Sequence, residues 1–135
     1  MSVIVTDRGF APDDWRQGWA EAPEDAAGLD LPADADPEAL RPHLERLAAI
    51  RIHFTAFSDG RGFTLASRLR RMGFAGRLRA QGHVIADQYA MARRSGFDEV
   101  EIDAALAARQ PEDQWRARAN WRDHDYRAKL RRRGA

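Results

Sequence analysis

A chain of 135 residues with 44% apolar and 32% charged side chains is the size of one domain and has material for a modest core. The absence of cysteine excludes disulfides, thiolate nucleophiles, cysteine-held iron–sulfur clusters and cysteine-type zinc sites, and no apolar run is long enough to cross a membrane. A net charge of +1 hides an uneven distribution: residues 1–49 hold four basic and eleven acidic side chains, 50–110 ten and six, and 111–135 eight and four.

Opposite-sign ends can pair with each other or with a partner. The basic tail has acids interspersed and the pI is only about 8.3, which argues against nucleic acid. The start, MSVIVTDRGF, has no basic region followed by an apolar one, so no signal peptide is expected and a cytoplasmic location fits.

In chain order, Val3-Ile4-Val5 reads as a short strand that turns at Asp7-Arg8-Gly9 towards a return strand. Residues 20–36, rich in Ala, Asp and Pro, read as a mobile connection. Asp36-Pro37 is an N-cap and N1 pair, and Leu40, Leu44 and Leu47 mark one face of a helix to about Ala49, with Pro42 disturbing its first turn.

From Ile50 the pattern is β-α-β-α-β. Strands are expected at Ile50–Phe57, Leu78–Gln81 and Glu99–Ile102, with helices at Phe63–Met72 and Val84–Arg94 and a short one from Ala104. Both central helices end alike, in Arg70-Arg71-Met72-Gly73-Phe74 and Arg93-Arg94-Ser95-Gly96-Phe97. Arginine suits the negative end of the helix dipole, glycine the left-handed residue after the helix, and phenylalanine folds back over the last turn. Crossovers this short imply parallel strands.

Each strand is apolar on one face only. The helices should lie there, and Arg51, His53, Arg77 and Arg79 should face Glu99 and Glu101 on the other. Cross-strand ion pairing is the favoured reading of that polar face. The sharper alternative is a polar cavity covered by the tryptophan-bearing ends or by a second copy of the chain, a homo-oligomer. Trp15 and Trp19 lie before the core and Trp115 and Trp121 after it. In the tail, Trp115, Ala119, Arg122, Tyr126 and Leu130 form a stripe too thin to sustain an isolated helix.

The fold class is therefore α/β: a small parallel βαβαβ sheet with helices on one face, an N-terminal β-hairpin and a C-terminal helical tail. Residues 1–110 form a single domain with its core at 50–108, and 111–135 a basic helical tail.

Ligands of parallel sheets bind beyond the carboxyl ends of the strands. There Ser58, Asp59, Gly60, Arg61 and Gly62 read as an anion-binding loop. Two glycines free the backbone so that its N–H groups converge, a helix N-terminus follows, and Arg61 brings a fork of donors suited to a small oxyanion. The bland reading of Asp59 and Arg61 is a tight turn held by an Asx hydrogen bond with local arginine pairing. His83 and Asp87, four apart on the expected helix, form a candidate proton-transfer pair, against the bland reading of His83 as an ordinary helix-start residue. The loop is neither a dinucleotide fingerprint nor a P-loop, and the four scattered histidines predict no metal site.

Phe57-Ser58-Asp59-Gly60-Arg61-Gly62-Phe63, Leu78-Arg79-Ala80-x-Gly82, Asp87-Gln88 and Arg94-x-Gly96-Phe97-Asp98 occur in this order. On these motifs the stretch Leu29–Ala108 resembles a bacterial family of unknown function labelled "oxidoreductase probably involved in sulfite reduction". The resemblance implies a cytoplasmic accessory protein of assimilatory sulfite or sulfate reduction, with the sulfite reductase haemoprotein as a partner, and it ends before the tail at Pro111. No cofactor is assigned, because the chain has no thiol and no full nucleotide fingerprint; redox chemistry would need a borrowed one. The alternative is a non-catalytic adaptor that binds the haemoprotein or another protein through the charged sheet face, Trp15, Trp19 and the basic tail.

Overall fold

Residues 2–124 are described by a computed structural model of the chain. The N-terminal hairpin forms as expected, with β1 (Ser2–Thr6) and β2 (Gly9–Ala11) joined at Asp7-Arg8 and Gly9 at φ 113°. Then follow β3 (Gly28–Pro32), β4 (Ala49–Phe54), α1 (Arg61–Arg71), β5 (Arg77–Gly82), α2 (Tyr89–Ser95), β6 (Glu99–Asp103), α3 (Ala104–Arg109) and α4 (Glu112–Arg116). One mixed sheet results, in the order β2-β1-β6-β5-β4-β3, with β3 to β6 parallel and β1 antiparallel to both of its neighbours. The parallel strands advance in a single direction. Crossovers of one hand must then lie on one face, which is where α1 and α2 sit.

The apolar side of the alternation builds the core. Ile50, Ile52, Phe54, Leu78, Val100 and Ile102 are all buried and share one cluster with Leu65, Leu69 and Tyr89 of the helices. Both helix stops work as read. Gly73 and Gly96 sit at φ 104° and 112°, and Phe74 N and Phe97 N donate back to Leu69 O and Ala92 O. The first arginine of each stop adds a bond that the pattern did not foretell: Arg70 donates to Phe74 O at 3.0 Å and Arg93 to Phe97 O at 2.6 Å.

Four expectations need correction. Residues 20–36 contain β3, because Leu29 and Leu31 alternate with Asp30 and bury their side chains against β4. The segment after Asp36 is a 3₁₀ helix, Pro37–His43, since Pro42 has no N–H to continue an α-helix. Helix α2 begins at Tyr89 rather than Val84, because Ile85 is extended (φ −97°, ψ 164°) and only a 3₁₀ turn at Ala86–Gln88 precedes the helix. The tail is not one continuous stripe: α4 ends at Arg116, and a 3₁₀ turn follows at Trp121–His124. Trp115 is buried edge-on to Tyr89, with ring centroids 6.2 Å apart, while Tyr126 and Leu130 lie outside the described residues.

The polar face is an ion-pair network under a strap. Arg51 joins Asp30 and Glu101, Arg77 joins Glu99, and the fully buried Arg79 joins Glu99 at 2.5 Å and Glu101 at 2.8 Å. Residues 12–20 cross above it. Asp13 accepts from Arg79, Asp14 from Arg77, and the Trp19 ring lies 4.7 Å from the Arg51 guanidinium carbon and 5.3 Å from that of Arg79. Both halves of the two readings are present: the charges pair across strands, and a tryptophan-bearing end covers them.

Candidate binding site at the strand ends

Beyond Phe54 the chain leaves β4 in an exposed loop that enters α1 at Arg61. The Asp59 carboxylate turns back on this loop and accepts from Arg61 N at 3.1 Å, Arg61 Nε at 2.9 Å and Arg61 Nη2 at 2.8 Å. The Arg61 side chain, with its backbone N–H second, holds the Asp59 carboxyl down at about 2. The planar fork that suits an oxyanion is thus filled by the chain's own carboxylate, and Asp34 approaches it from the far side at 4.0 Å.

Neither loop glycine works as the sequence reading assumed. Gly60 has φ −83°, and Gly62 is not among the glycines at positive φ. A Cβ on Gly62 would stand 2.3 Å from the Phe54 ring, so this glycine is there for packing; a Cβ on Gly60 would touch nothing. Ser58 is exposed at the loop tip beside Phe57.

His83 and Asp87 do not come together as a pair. The late start of α2 removes the helical turn that would have stacked them, and Asp87 instead accepts from Arg118 Nη2 at 2.7 Å. His83 follows the Gly82 turn (φ 109°), where a Cβ would lie 2.6 Å from Phe54 O, and its own N–H donates to that carbonyl at 2.9 Å. The imidazole faces the Phe57 ring edge-on at 5.1 Å. Gln88 locks the two loops together, accepting from Ile85 N at 3.0 Å and donating to Phe57 O at 2.7 Å.

These loops border two hollows at the carboxyl ends of the strands, and both are lined by His53 and Thr55. The first, about 340 Å³, is faced by His53, Gln81, His83, Asp103 and Arg109, with Phe57 and Leu106 on its apolar side. Asp103 is committed to the first turn of α3, accepting from Leu106 N at 2.8 Å. Among the described residues, the Arg109 side chain makes no hydrogen bond or ion pair, and the His83 side chain has only its ring contact with Phe57. The second, about 540 Å³, is acidic, with Glu21, Asp30, Asp34 and Asp59 facing Arg61 and His53. Between the two, His53 Nε2 lies 3.0 Å from Asp30 Oδ1 and Nδ1 lies 2.5 Å from Gln81 Oε1.

Sequence reasoning placed His53 on the polar face but missed that, near the end of β4, it stands where the hollows meet. Arg109 was missed altogether. No local pattern marks it, and only the path of α3 back across the strand ends puts it beside His83.

A sheet wound in one direction, with helices on one face and an open crevice at the ends of its parallel strands, defines a small α/β protein with a strand-end cleft. Residues 28–134 match the family described as bacterial protein of unknown function (DUF934), and the chain belongs to that family. The match runs on through the tail, beyond the Ala108 limit of the resemblance read from the motifs. No curated protein and no solved structure matches the chain. Among the described residues, no helix is long and apolar enough to cross a membrane, and no group of three or more His, Asp or Glu side chains is arranged to hold a metal.

Proposed function

We propose that this protein is a small-anion-binding accessory protein of sulfite or sulfate reduction, and that its anion seats in the hollow between His83 and Arg109 rather than on the Ser58–Gly62 loop. The pathway rests on the motif resemblance. The placement rests on one observation: Arg109 and His83 face the same hollow with no partner charge committed to either. An unpaired guanidinium at a partly enclosed site gains more from an oxyanion than one already bridged by a carboxylate, because nothing must be displaced. His53, the second imidazole of the hollow, is held by Asp30 and Gln81 and forms part of its wall, and the N-capping bond of Asp103 draws its charge towards α3.

Calorimetric titration with sulfite, sulfate and phosphate tests this. Saturable binding is expected in the wild type, with at least a tenfold loss in Arg109→Ala, the low end of the contribution of a charge-assisted hydrogen bond. Arg61→Ala should leave affinity unchanged. No saturable response in the wild type, or a loss confined to Arg61→Ala, overturns the placement.

The adaptor reading keeps one supporting observation. Its charged face and Trp19 are engaged inside the molecule, but Phe57 is 40% exposed at the rim of the hollow. A haemoprotein partner that docked there would release Phe57→Ser in pull-down while retaining Arg109→Ala.

A further inference from the structure

The cleft is larger and more polarised than an inorganic oxyanion needs. Resting on the anion-site reading above, we propose that its ligand is a small organic phosphate, sulfate ester or sulfonate whose body carries hydrogen-bond donors. The anionic head sits at Arg109 and His83, and the body runs past His53 and Thr55 into the second hollow.

Three observations converge on this class. The first is size: hollows of about 340 and 540 Å³ share the lining residues His53 and Thr55. That is room on the scale of organic ligands of many atoms, and a lone tetrahedral anion would leave most of it filled with water. The second is charge. The first hollow offers the uncommitted Arg109 and the imidazoles of His53 and His83, whereas the second offers the carboxylates of Glu21, Asp30, Asp34 and Asp59. A second anionic group there would be repelled, and ligand hydroxyl or ammonium groups would be accepted.

The third is commitment. Asp30 is held by Arg51 and His53, and Asp59 by Arg61, so these two are fixed walls. Glu21 has no ion pair or hydrogen bond among the described residues, and the Asp34 carboxylate has only the 4.0 Å approach to Arg61. These are the two carboxylates free to accept from a ligand. Apolar surface lies at the head end in Phe57 and Leu106, where it would pack beside the ester link, and again in the second hollow in Leu31, Pro32 and Ala33, where it would pack against the carbon skeleton of the body.

The experiment compares inorganic phosphate, methyl phosphate, ribose 5-phosphate and O-phosphoethanolamine by calorimetry on the full chain. Ribose 5-phosphate or O-phosphoethanolamine should bind at least tenfold more tightly than methyl phosphate, which has the head but no donors. A Glu21→Gln, Asp34→Asn double variant should erase that margin while leaving inorganic phosphate affinity within twofold. Its thermal unfolding, unchanged from wild type, separates lost contacts from lost fold. Phosphate binding with no preference for either donor-bearing probe overturns the extension and leaves the anion site standing. No binding of any probe overturns both. The preference of one donor-bearing probe over the other tells hydroxyl from ammonium recognition.

Discussion

The polar face of the sheet and the cleft at its strand ends carry similar side chains and use them in opposite ways. On the face, Arg51, Arg77 and Arg79 answer Asp30, Glu99, Glu101, Asp13 and Asp14, and among the described residues no buried side-chain nitrogen or oxygen lacks a partner. In the cleft, Arg109 and His83 have none of these commitments. The face is where charge is densest, yet its charges are spent on one another beneath Trp19. Charge density therefore marks structure here, and uncommitted charge marks the candidate site. Burial explains the division. Charges out of water must be paired to be tolerated, whereas charges at a wet rim can wait for a ligand.

The largest effect that sharpens this contrast is expected from Arg79→Ala. Removing this fully buried guanidinium leaves Glu99 and Glu101 buried with one arginine partner each, a change of about 3–5 kcal/mol. Urea denaturation measures it. A loss below about 1 kcal/mol would mean that water reaches the face and that the strap does not seal it.

Two glycines of the same loop give the next contrast. Gly62→Val drives a branched side chain into the Phe54 ring and should cost about 1–3 kcal/mol or more. Gly60→Val meets no atom within 4 Å at an unstrained φ of −83° and should stay within about 0.5 kcal/mol. Equal costs at the two positions would restore the view that both glycines shape an anion loop.

This pair also shows what was legible in the chain. The period-2 strands β4, β5 and β6 and the twin helix stops declared themselves, because each depends on neighbours within one element. Strand β3 did not. Two buried leucines, Leu29 and Leu31, sit among Ala, Asp and Pro, and only pairing with β4 makes them a strand. The His83–Asp87 pair failed for a local reason with a distant cause, since Gln88 spends its side chain tying Ile85 N to Phe57 O and so holds the helix off. Motif glycines at positions 62, 82 and 96 answer to close approach or left-handed backbone, so most of the family's signature is a record of packing. Arg109, the residue on which the site reading turns, lies outside every motif.

A smaller effect is expected in the cleft itself. Arg109→Ala and His83→Ala should each leave stability within about 0.5 kcal/mol of wild type, since neither side chain holds another element in place. Thermal unfolding checks this. A large loss at either position would move that residue to the structural side of the comparison and remove it from the candidate site.

The strap's own tether gives the finest test, through pH. Hydrogen bonds from Arg79 hold the Asp13 carboxyl at about 2, below its ordinary value of 3.8. A carboxyl depressed in the folded state binds fewer protons there than in the unfolded chain, so the stability it contributes is present above about pH 4 and lost as pH falls towards 2. Asp14, held down by Arg77, and Asp30, where Arg51 outweighs the opposing effect of burial, act in the same direction. Stability measured from pH 5 to pH 2 should therefore fall, with Trp19 fluorescence changing as the indole leaves the Arg51 and Arg79 guanidiniums. Asp13→Asn should start lower at pH 5 and fall less steeply, because one of the titrating groups is gone. Since Asp13 is partly open to solvent, the difference is expected to be modest and to shrink in high salt. Parallel pH profiles for the two proteins would show that Arg79 does not hold Asp13, and that the strap is fastened by Asp14 and its tryptophans instead.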